Sequence, residues 1–459
     1  MAEIDRSDIV IIGAGVVGCA LFRRFALMGL KPLLLEAGSD ILSGASKGNS
    51  ALLHTGFDAP PDSLEVTCMQ AGYREYLEIR ERLNLPLVES SALVVAWDDE
   101  QLAKLPEIVA KAHRNGVADV REIGKDDLRR REPHLADAAR GAVLVPGEHI
   151  IDPWSAPLAY VHQGLAHGGR IRRRCHVTSG DFKGDQWRLE TTDGAVTAGL
   201  VINAAGNYGD IVEAICRTSP FKVTPRKGQF VVFDKPAAAL AHAIILPVPT
   251  ERTKGIVICR TAFGNLLVGP TAEDQEDRAL AEVDQATLQH LIAKGTEMLP
   301  SLAQQTVNAV YAGLRPATQF KDYQIDFLPE RHWITVGGIR STGLTAALGI
   351  AQHVAALYQQ RFDGTPTAQP IWTPVPNLCE YRQRPYQTQA GGDIVCHCEW
   401  VTRQEIEQAL AAPFPAGDLG GLKRRTRCMM GRCQGFYCGA EVSRLAEERW
   451  SAHNAQAAS

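Results

Sequence analysis

The sequence from Asp8 to Gly18, DIVIIGAGVVG, determines the architecture of the N-terminal region. Its first five residues are mostly apolar and rich in β-branched side chains, which predicts a short, buried parallel strand. The strand runs into a glycine-rich turn and then into a helical pattern, CALFRRFALMG. In such a unit Gly13 permits the tight turn, Gly15 lets the backbone approach a pyrophosphate, and Gly18 allows the helix to pack closely on the strand. The helix N-terminus then offers N–H groups and a favourable dipole to the phosphates.

An acidic residue follows the next predicted strand. That strand covers residues 31–35 and ends at Glu36. In dinucleotide-binding units an acid at this place accepts hydrogen bonds from the adenosine ribose and repels a 2′-phosphate. A glycine-rich turn without any ligand is the alternative. The strand, the helix and the acid around the glycines favour a dinucleotide site.

The composition is that of an ordinary globular protein with two or three domains. The chain has 459 residues, of which 45% are hydrophobic and 22% are charged, and its formal net charge is -4. This charge gives no electrostatic basis for binding nucleic acid, and no apolar run is long enough to predict a transmembrane segment. Most of the eleven cysteines are scattered without pair spacing, which predicts a reduced, cytoplasmic protein. The scattered cysteines are Cys19, Cys68, Cys175, Cys216, Cys259, Cys379 and Cys428.

The remaining four cysteines form two close pairs near the C-terminus. Cys396 and Cys398 make a C-x-C pair, and Cys433 and Cys438 make a C-x4-C pair. Four thiolates can hold an iron–sulfur cluster or a structural zinc ion, and spacing alone leaves both open. A redox centre here would let electrons that enter at the nucleotide site leave at the other end of the chain. This arrangement favours a dehydrogenase over a simple oxidase.

The segment 43–58, SGASKGNSALLHTGFD, resembles the D-amino-acid-oxidase-like superfamily of FAD oxidoreductases, in particular its glycerol-3-phosphate dehydrogenase branch. That resemblance implies that Ser46, Asn49 and Ser50 contact FAD and that His54 lies beside the isoalloxazine ring. By residue type alone, a single histidine in an apolar run is more typical of a structural role. The motif around it favours a role in the active site.

Other segments resemble the flavin-contact motifs of the same superfamily. They are LVINAAG at 200–206, GGIRSTGL at 337–344 with the helical pattern after it, and the strand-like RIRRRCHV at 170–177. The last of these implies a backbone contact between Val177 and adenine. The first two imply FAD contacts from Ala205, Gly206, Gly338, Gly343, Leu344 and Thr345.

The segment YAGLRP at 311–316 resembles the substrate-binding step of the superfamily. The resemblance implies that Arg315 binds a carboxylate or phosphate of the substrate, and the paired donors of a guanidinium suit that task. A surface arginine before a proline is the alternative. Arg340 stands where the family pattern often has Pro or Ser, and we take it as a second candidate cation. The expected neighbours of Arg315 are Arg340, Lys321, Tyr323 and His54.

The C-terminal region resembles the bacterioferritin-associated-ferredoxin-like [2Fe-2S] domain, in the version found in anaerobic glycerol-3-phosphate dehydrogenases and opine oxidases. TRQEIEQALAAP is a predicted helix with Thr402 and Glu405 as a capping box. The resemblance implies that the cluster ligands are Cys396, Cys398, Cys433 and Cys438. Cys428 is expected to be a bystander, and zinc remains the competing metal.

These observations predict an α/β protein in which a Rossmann-like FAD-binding domain is interleaved with an α+β substrate domain and followed by a small α-rich [2Fe-2S] domain. The oxidoreductase region is expected at 1–362. Within it, we expect FAD-binding parts at about 1–85, 143–215 and 330–362 and substrate-domain parts at about 86–142 and 216–329. A linker at 363–392 and the cluster domain at 393–450 complete the predicted organisation.

The predicted function is that of an FAD-dependent dehydrogenase for a small anionic alcohol, with glycerol-3-phosphate or a similar polyol phosphate as the first candidate. The resemblance implies hydride transfer from the substrate to flavin N5, and His54 is the best candidate for the base because of its near-neutral intrinsic pKa. Electrons would pass from flavin to the cluster and on to a partner subunit or quinone, which would allow peripheral membrane association through that partner. The alternatives are an opine, amino-acid or 2-hydroxy-acid dehydrogenase subunit, since Arg315 would also bind a carboxylate, and a non-catalytic electron-relay subunit.

Overall fold

The computed structural model describes residues 5–249, 255–362, 369–388 and 392–457, with side chains up to residue 451. Within these ranges it contains two large sheets, two small sheets and the helices that cover them. The predicted α/β class is confirmed. The expected linker at 363–392 lies partly outside the described residues, at 363–368 and 389–391.

The strands of the described residues are short except for two long ones in the second large sheet. They are β1 (Asp5–Ile12), β2 (Leu33–Leu35), β3 (Leu52–Leu53), β4 (Leu87–Glu89), β5 (Ala92–Ala96), β6 (Arg121–Gly124), β7 (Gly141–Val145), β8 (His149–Ile151), β9 (Arg170–Arg172), β10 (Val177–Lys183), β11 (Gln186–Thr191), β12 (Val196–Asn203), β13 (Val223–Phe233), β14 (Ile244–Pro247), β15 (Val257–Arg260), β16 (Leu266–Gly269), β17 (Glu273–Asp274), β18 (Val307–Thr318), β19 (Gln324–Leu328), β20 (Trp333–Gly337), β21 (Ile394–Cys396) and β22 (Val401–Thr402).

The α-helices fall into those that cover the sheets and those of the C-terminal region. They are α1 (Val16–Leu27), α2 (Leu64–Ile79), α3 (Asp99–Arg114), α4 (Lys125–Arg131), α5 (Ser155–Ala166), α6 (Gly209–Glu213), α7 (Gln285–Met298), α8 (Gly343–Gln359), α9 (Arg403–Ala411), α10 (Leu419–Thr426) and α11 (Gly439–Ala457). None of them, over the ranges described, has both the length and the apolar character that crossing a bilayer requires.

The first large sheet is a Rossmann-like parallel sheet with an antiparallel extension. Its parallel strands follow the order β9-β2-β1-β12-β20, and the β10–β11 hairpin extends it beside the first half of β12. The apolar residues Ile9–Ile12 of β1 are buried, as expected for a central parallel strand. Helices α1, α5 and α8 cover one face, and the apolar face of α1 packs there through Phe22 and Phe25.

The second large sheet is mostly antiparallel and has a core on each face. Its long strands β13 and β18 pair antiparallel over almost their whole length. β13 also pairs with β16 and β17, and the sheet continues through β15, β14, β5 and β7 to β6. A separate small sheet has the strand order β3-β8-β4.

Two strands depart from the expected domain boundaries. β7 crosses the boundary expected at 143 and lies wholly in the second sheet, because it pairs with β5 over all five of its residues. β19 was expected in the substrate domain, but it pairs with β20 at the edge of the first sheet. In both cases antiparallel pairing decides which sheet the strand joins: β7 pairs with the distant β5, and β19 pairs with the adjacent β20.

The described part of the connecting segment, 369–388, lies along the oxidoreductase region. The backbone N–H of Val375 donates to Leu83 O at 3.1 Å, and Glu380 N–H donates to Ala262 O at 2.9 Å. Val375, Leu378 and Cys379 are buried. The segment is extended in form and is held in place by these contacts.

The C-terminal region is built from α9, α10 and α11 around the β21–β22 hairpin. Helix α9 begins with the predicted capping box: Thr402 Oγ1 accepts from Glu405 N–H, and Glu405 accepts from Thr402 N–H at 2.8 Å. The prediction of a small helical domain is confirmed.

A buried ion pair attaches this domain to the loop after β2. Arg425 donates to both oxygens of Asp40 at 2.6 and 2.8 Å, and Asp40 is fully buried. The same carboxylate accepts from Gly417 N–H at 3.0 Å, and Arg424 donates to Ile41 O at 3.0 Å. A buried carboxylate with all these partners is well compensated for its loss of water.

The Asp40–Arg425 pair gives a test of how this docking contributes to stability. We expect Asp40→Asn to lower the free energy of unfolding by about 3–5 kcal/mol, because it leaves the guanidinium buried without a counter-charge. Chemical denaturation of the full chain measures the change. The control is Asp193→Asn, which breaks an exposed pair with Arg172 and should leave the midpoint unchanged. Equal midpoints for wild type and Asp40→Asn would contradict the assignment of this pair as a docking contact.

Candidate functional site

An open cleft lies between the two large sheets. One wall comes from the carboxyl ends of the parallel strands β1, β12 and β20, and the other from β13 and β18. It encloses about 1010 Å³ of space, its open mouth included. Ligands of open α/β sheets bind beside this end of the strands. The predicted residues that line the cleft are Gly15, Ser46, Asn49, Ser50, Gly206, Arg315, Gly338, Arg340, Gly343 and Leu344.

Several predicted FAD-contact residues stand next to this lining without being part of it. Ala205 lies between the lining residues Ala204 and Gly206, and Thr345 follows Leu344 in the first turn of α8. Val177 is buried at the start of β10. The other predicted residues outside the lining are Gly13, Gly18 and Glu36.

Gly13 and Gly18 bring α1 against the turn that precedes it. Gly13 has a φ of +101°, a conformation that favours glycine, and a Cβ there would lie 2.6 Å from Ala204 O. A Cβ on Gly18 would lie 1.8 Å from Gly13 O. Side chains at these positions would push the helix away from the strand ends. The two glycines therefore fix the start of α1 at the edge of the cleft.

The N-termini of α1 and α8 both face this cleft. Val16 N–H, the first of α1, donates to Ser46 Oγ at 3.0 Å. The hydroxyl of Thr342, the residue before α8, donates to Glu65 and not to the helix. Two helix N-termini give the cleft a positive potential without any charged side chain, which suits a pyrophosphate.

Glu36 joins the glycine turn to the loop after β2. Its Oε2 accepts from Ala14 N–H at 2.8 Å, and its Oε1 accepts from Gly38 N–H at 2.7 Å. Burial is the main cause of a raised pKa for this carboxyl group. A carboxylate offers about four lone-pair directions, so these two bonds leave capacity for a ribose hydroxyl.

Arg315 is the cation of the cleft that lacks a carboxylate partner among the described residues. Its donors bond backbone carbonyls instead, with Nη2 at 2.6 Å from Thr271 O and 3.1 Å from Lys227 O and Nε at 3.3 Å from Arg226 O. Burial, and then the charge of Arg226, lower the pKa of the Arg315 guanidinium to about 10. The group is therefore still charged at neutral pH, and its charge is available to an anion in the cleft.

Arg340 lines the cleft as one half of an ion pair. Its Nη2 lies 3.2 Å from Oε2 of Glu65, and it also donates to the backbone oxygen of Lys321. Glu65 is buried, and its Oε1 accepts from Thr342 Oγ1 at 2.8 Å. The Glu65 carboxylate offsets the positive charge of Arg340. Nothing in the sequence singled out Glu65.

Two expected neighbours of the substrate are placed elsewhere. Tyr323 is buried, with its hydroxyl 2.7 Å from Thr342 Oγ1, and the side chain of Lys321 is exposed to solvent. Neither residue lines the cleft. The turn that carries them packs toward α2 through Asp322, which accepts from the N–H groups of Leu64 and Glu65. That they neighbour Arg315 at the substrate stays a prediction.

His54 lies beside the first turn of α8, next to the cleft lining. Its backbone N–H donates to Thr345 Oγ1 at 3.1 Å. Its ring nitrogen Nδ1 lies 2.7 Å from Oε2 of Glu148, which is fully buried. Nothing in the sequence pointed to Glu148, because the contact joins residues 94 positions apart.

The four paired cysteines meet two by two in the C-terminal domain. The thiols of Cys398 and Cys433 lie close enough to affect each other's pKa, and so do those of Cys396 and Cys438. Cys396 and Cys438 are buried, whereas Cys398 and Cys433 are partly exposed. The fold thus joins the C-x-C pair to the C-x4-C pair, as the spacing predicts.

Backbone N–H groups point at two of these sulfurs. Those of Tyr437, Gly435 and Phe436 lower the pKa of Cys433, with Tyr437 the largest cause. The N–H of Met429 also acts to lower the pKa of Cys438. Burial raises that pKa by more, so the net shift at Cys438 is upward. Donors of this kind stabilise thiolates and the sulfurs of iron–sulfur clusters.

The backbone around the cysteines adopts several left-handed conformations. Trp400, Arg427, Met429 and Gln434 have φ values between +49° and +71°. Such conformations are uncommon for residues with side chains and persist only where the surroundings enforce them. They are typical of functional loops, and here they surround the thiols.

The arrangement of the four thiols in two pairs suits a two-iron cluster. A structural zinc ion is also held by four thiolates. A [2Fe-2S] cluster has two irons with two ligands each, and two thiol pairs fit that requirement. Cys428 is buried and bonds the Thr426 hydroxyl, which suits the expected bystander.

A series of contacts leads from the cleft wall to this domain. Trp154 Nε1 donates to the backbone oxygen of Lys47, which lies between the cleft residues Ser46 and Gly48. The Trp154 ring stacks on Phe263 with centroids 5.1 Å apart. The guanidinium carbon of Arg427 lies over the same Phe263 ring, 4.0 Å from its centroid.

Comparison with known proteins agrees with both sites. Residues 8–357 match the FAD dependent oxidoreductase (DAO) family, and residues 394–448 match the BFD-like [2Fe-2S] binding domain. A glycerol 3-phosphate dehydrogenase of Caloramator mitchellensis is 28% identical over 444 residues, which is 95% of this chain and 92% of the relative. A glycerol 3-phosphate oxidase of Mycoplasma pneumoniae is 26% identical over 82% of this chain and 99% of the relative.

The fold is also that of a solved flavoprotein structure. Dithionite-reduced L-alpha-glycerophosphate oxidase from Mycoplasma pneumoniae, with FAD bound, superposes with a TM-score of 0.75 at 25% sequence identity. The superposition covers 80% of this chain and 98% of that chain. The chain belongs to the FAD dependent oxidoreductase family. It is an FAD-dependent oxidoreductase with a [2Fe-2S] domain, and its cofactors are FAD and a [2Fe-2S] cluster.

The cysteine pairs predict how the cluster responds to substitution. We expect Cys433→Ser to lose the cluster, because one iron would keep a single thiolate ligand. Iron, acid-labile sulfide and zinc per chain, together with visible absorbance, measure the outcome. Cys428→Ala is the matched control and should keep the full iron and sulfide content. Stoichiometric zinc without sulfide in the wild-type chain would contradict the cluster.

Proposed function

We propose that the enzyme is a dehydrogenase of glycerol-3-phosphate or a closely similar polyol phosphate. The observation that carries this proposal is Arg315, a charged guanidinium in the cleft without a carboxylate partner among the described residues. A guanidinium binds phosphate through paired donors. The names of two relatives, matched over 95% and 82% of this chain, point to the same substrate.

The charge of the cleft supports one anionic group on the substrate. Arg340 is paired with Glu65, so Arg315 supplies the uncompensated positive charge on that side. A single phosphate matches one unpaired arginine together with two helix N-termini that also serve the cofactor. The rest of a small polyol would lie over neutral residues of the lining, among them Phe230 and Pro270.

We propose the following roles for the residues that sequence analysis selected. Arg315 holds the phosphate, and His54 accepts the proton of the substrate hydroxyl. The cleft residues Gly15, Ser46, Asn49, Ser50, Gly206, Gly338, Gly343 and Leu344, with Glu36, hold the cofactor. FAD, when bound, supplies the two-electron acceptor for oxidation of the C–H bond next to that hydroxyl.

The cluster domain is proposed to carry electrons away from the cleft to a partner subunit or quinone. The series from Lys47 through Trp154 and Phe263 to Arg427 supports this, because it connects the cleft wall to the domain that carries the four thiols. Phe436 and Tyr437, in the loop between two thiols, are 85% and 80% exposed. Large exposed aromatic side chains are typical of surfaces that bind a partner.

We further propose that the enzyme works in the cytoplasm and reaches a membrane only through a partner. All eleven cysteines belong to the described residues, and none of them forms a disulfide there. This many cysteines without a disulfide is typical of a reducing compartment.

Anaerobic reduction of the flavin tests the substrate. We expect glycerol-3-phosphate to bleach the flavin absorbance, and Arg315→Gln to lower kcat/KM by about 10- to 150-fold, because a hydrogen bond to a charged group contributes about 1.5–3 kcal/mol. The matched control is Arg226→Gln, which lies opposite Arg315 in the β13–β18 register and outside the cleft lining. Bleaching by 2-hydroxy acids or amino acids but not by glycerol-3-phosphate would replace the proposed substrate. Bleaching by none of them would favour a relay subunit.

Electron paramagnetic resonance tests the role of the cluster. After anaerobic addition of glycerol-3-phosphate, the wild-type enzyme should show bleached flavin and the signal of a reduced [2Fe-2S] cluster. In Cys433→Ser the flavin should still bleach and the signal should be absent, because the flavin site is separate from the thiols. A wild-type cluster that stays oxidised while the flavin is fully reduced would overturn the proposed electron path.

A further inference from the structure

Glu148 is a fully buried carboxylate whose hydrogen bonds all go to two consecutive residues. It lies in the turn between β7 and β8. Its Oε1 accepts from the backbone N–H of Thr55 at 2.6 Å and from the Thr55 hydroxyl at 2.8 Å. Its Oε2 lies 2.7 Å from Nδ1 of His54. A carboxylate without water needs such partners, and here the imidazole is one of them.

The contact selects one tautomer of His54. An ionised carboxylate can only accept hydrogen bonds, so the proton between the two groups belongs to Nδ1. The lone pair of the neutral ring is then on Nε2. The carboxylate also stabilises the imidazolium that forms when Nε2 takes a proton.

We propose that Glu148 is a positioning residue for His54: it holds the ring in the tautomer whose Nε2 is basic and stabilises the cation formed during turnover. The inference rests on the proposed function, in which His54 accepts the proton of the substrate hydroxyl. In that step the O–H bond breaks, its electron pair stays on oxygen and its proton bonds Nε2. The substrate is oxidised because the electrons of its C–H bond pass to FAD, which is reduced.

Two other titratable groups in the part of the chain that the structure describes lie beside Glu148, and both are neutral at neutral pH. Tyr73 of α2 donates to Gly147 O, and burial, followed by the charge of Glu148, raises its pKa to about 12. Burial lowers the pKa of His149, which stacks on Tyr73 and is also within range of Glu89 and Arg80. Among the described titratable side chains, His54 is the one that hydrogen-bonds the Glu148 carboxylate.

Glu148→Gln tests the inference. The amide can donate to Nδ1, which would move the ring proton to Nε2 and remove the base. We expect the rate of flavin reduction by glycerol-3-phosphate to fall by about 10²-fold or more, the usual range for general base catalysis. For the remaining activity, the acid limb of the pH profile of kcat/KM should move to lower pH, because a histidine that loses a neighbouring anion releases its proton more readily.

Two further variants separate positioning from a merely structural role. Thr55→Ala removes another hydrogen bond to the same carboxylate without touching His54, and it should retain the wild-type rate within about threefold and the wild-type pH profile. Glu148→Asp keeps the charge and should recover part of the rate lost in Glu148→Gln. Thermal unfolding of each variant shows whether it folds.

Nuclear magnetic resonance of ¹⁵N-labelled histidines gives a readout that does not depend on turnover. We expect one histidine protonated at Nδ1 to disappear in His54→Gln and to change to protonation at Nε2 in Glu148→Gln. The inference is overturned if folded Glu148→Gln keeps the wild-type rate, pH profile and tautomer. If His54→Gln itself reduces flavin at the wild-type rate, the proposed base is wrong. A slow His54→Gln beside an unaffected Glu148→Gln would reject the inference alone.

Discussion

Helix α1 approaches the turn before it so closely that a Cβ on Gly18 would lie 1.8 Å from Gly13 O. This approach fixes where the helix begins, and the beginning of the helix forms one edge of the cleft. The loop after β2 is attached to the same turn by Glu36, which accepts from Ala14 N–H and Gly38 N–H. Two residues after Gly38, Asp40 binds Arg425 of the C-terminal domain. Both cofactor sites therefore depend on one close contact between backbone atoms.

The elements that the sequence could predict are those with a local pattern. β1, the glycine turn and α1 are consecutive, and their order alone predicts the nucleotide site. Helix α9 carries its capping box within four residues. The four cysteines are close in sequence, and the structure joins them. The substrate-domain boundaries were harder, because the pairings of β7 and β19 are tertiary contacts that the composition of the strands does not mark.

The carboxylates that contact Arg340 and His54 could not be predicted in this way. Glu65 is 275 residues from Arg340, and Glu148 is 94 residues from His54. Their neighbours in sequence have no feature that marks a buried acid. Arg315 and Arg340 look equivalent as cations in the sequence, yet only one of them has a described carboxylate partner. What distinguishes them is the long-range fold, and a single sequence shows little of that.

The attachment of the C-terminal domain has a consequence for how the chain can be divided. A module can be grafted or deleted when its removal leaves the rest of the protein solvated as before. Here a chain shortened before residue 393 would expose the Phe263 ring that Arg427 covers and would leave Asp40 without its guanidinium. The loop that changes is the one that carries Glu36. In engineering terms the cluster unit is not interchangeable, because its removal also alters the loop whose Glu36 bonds the glycine turn beside the cleft.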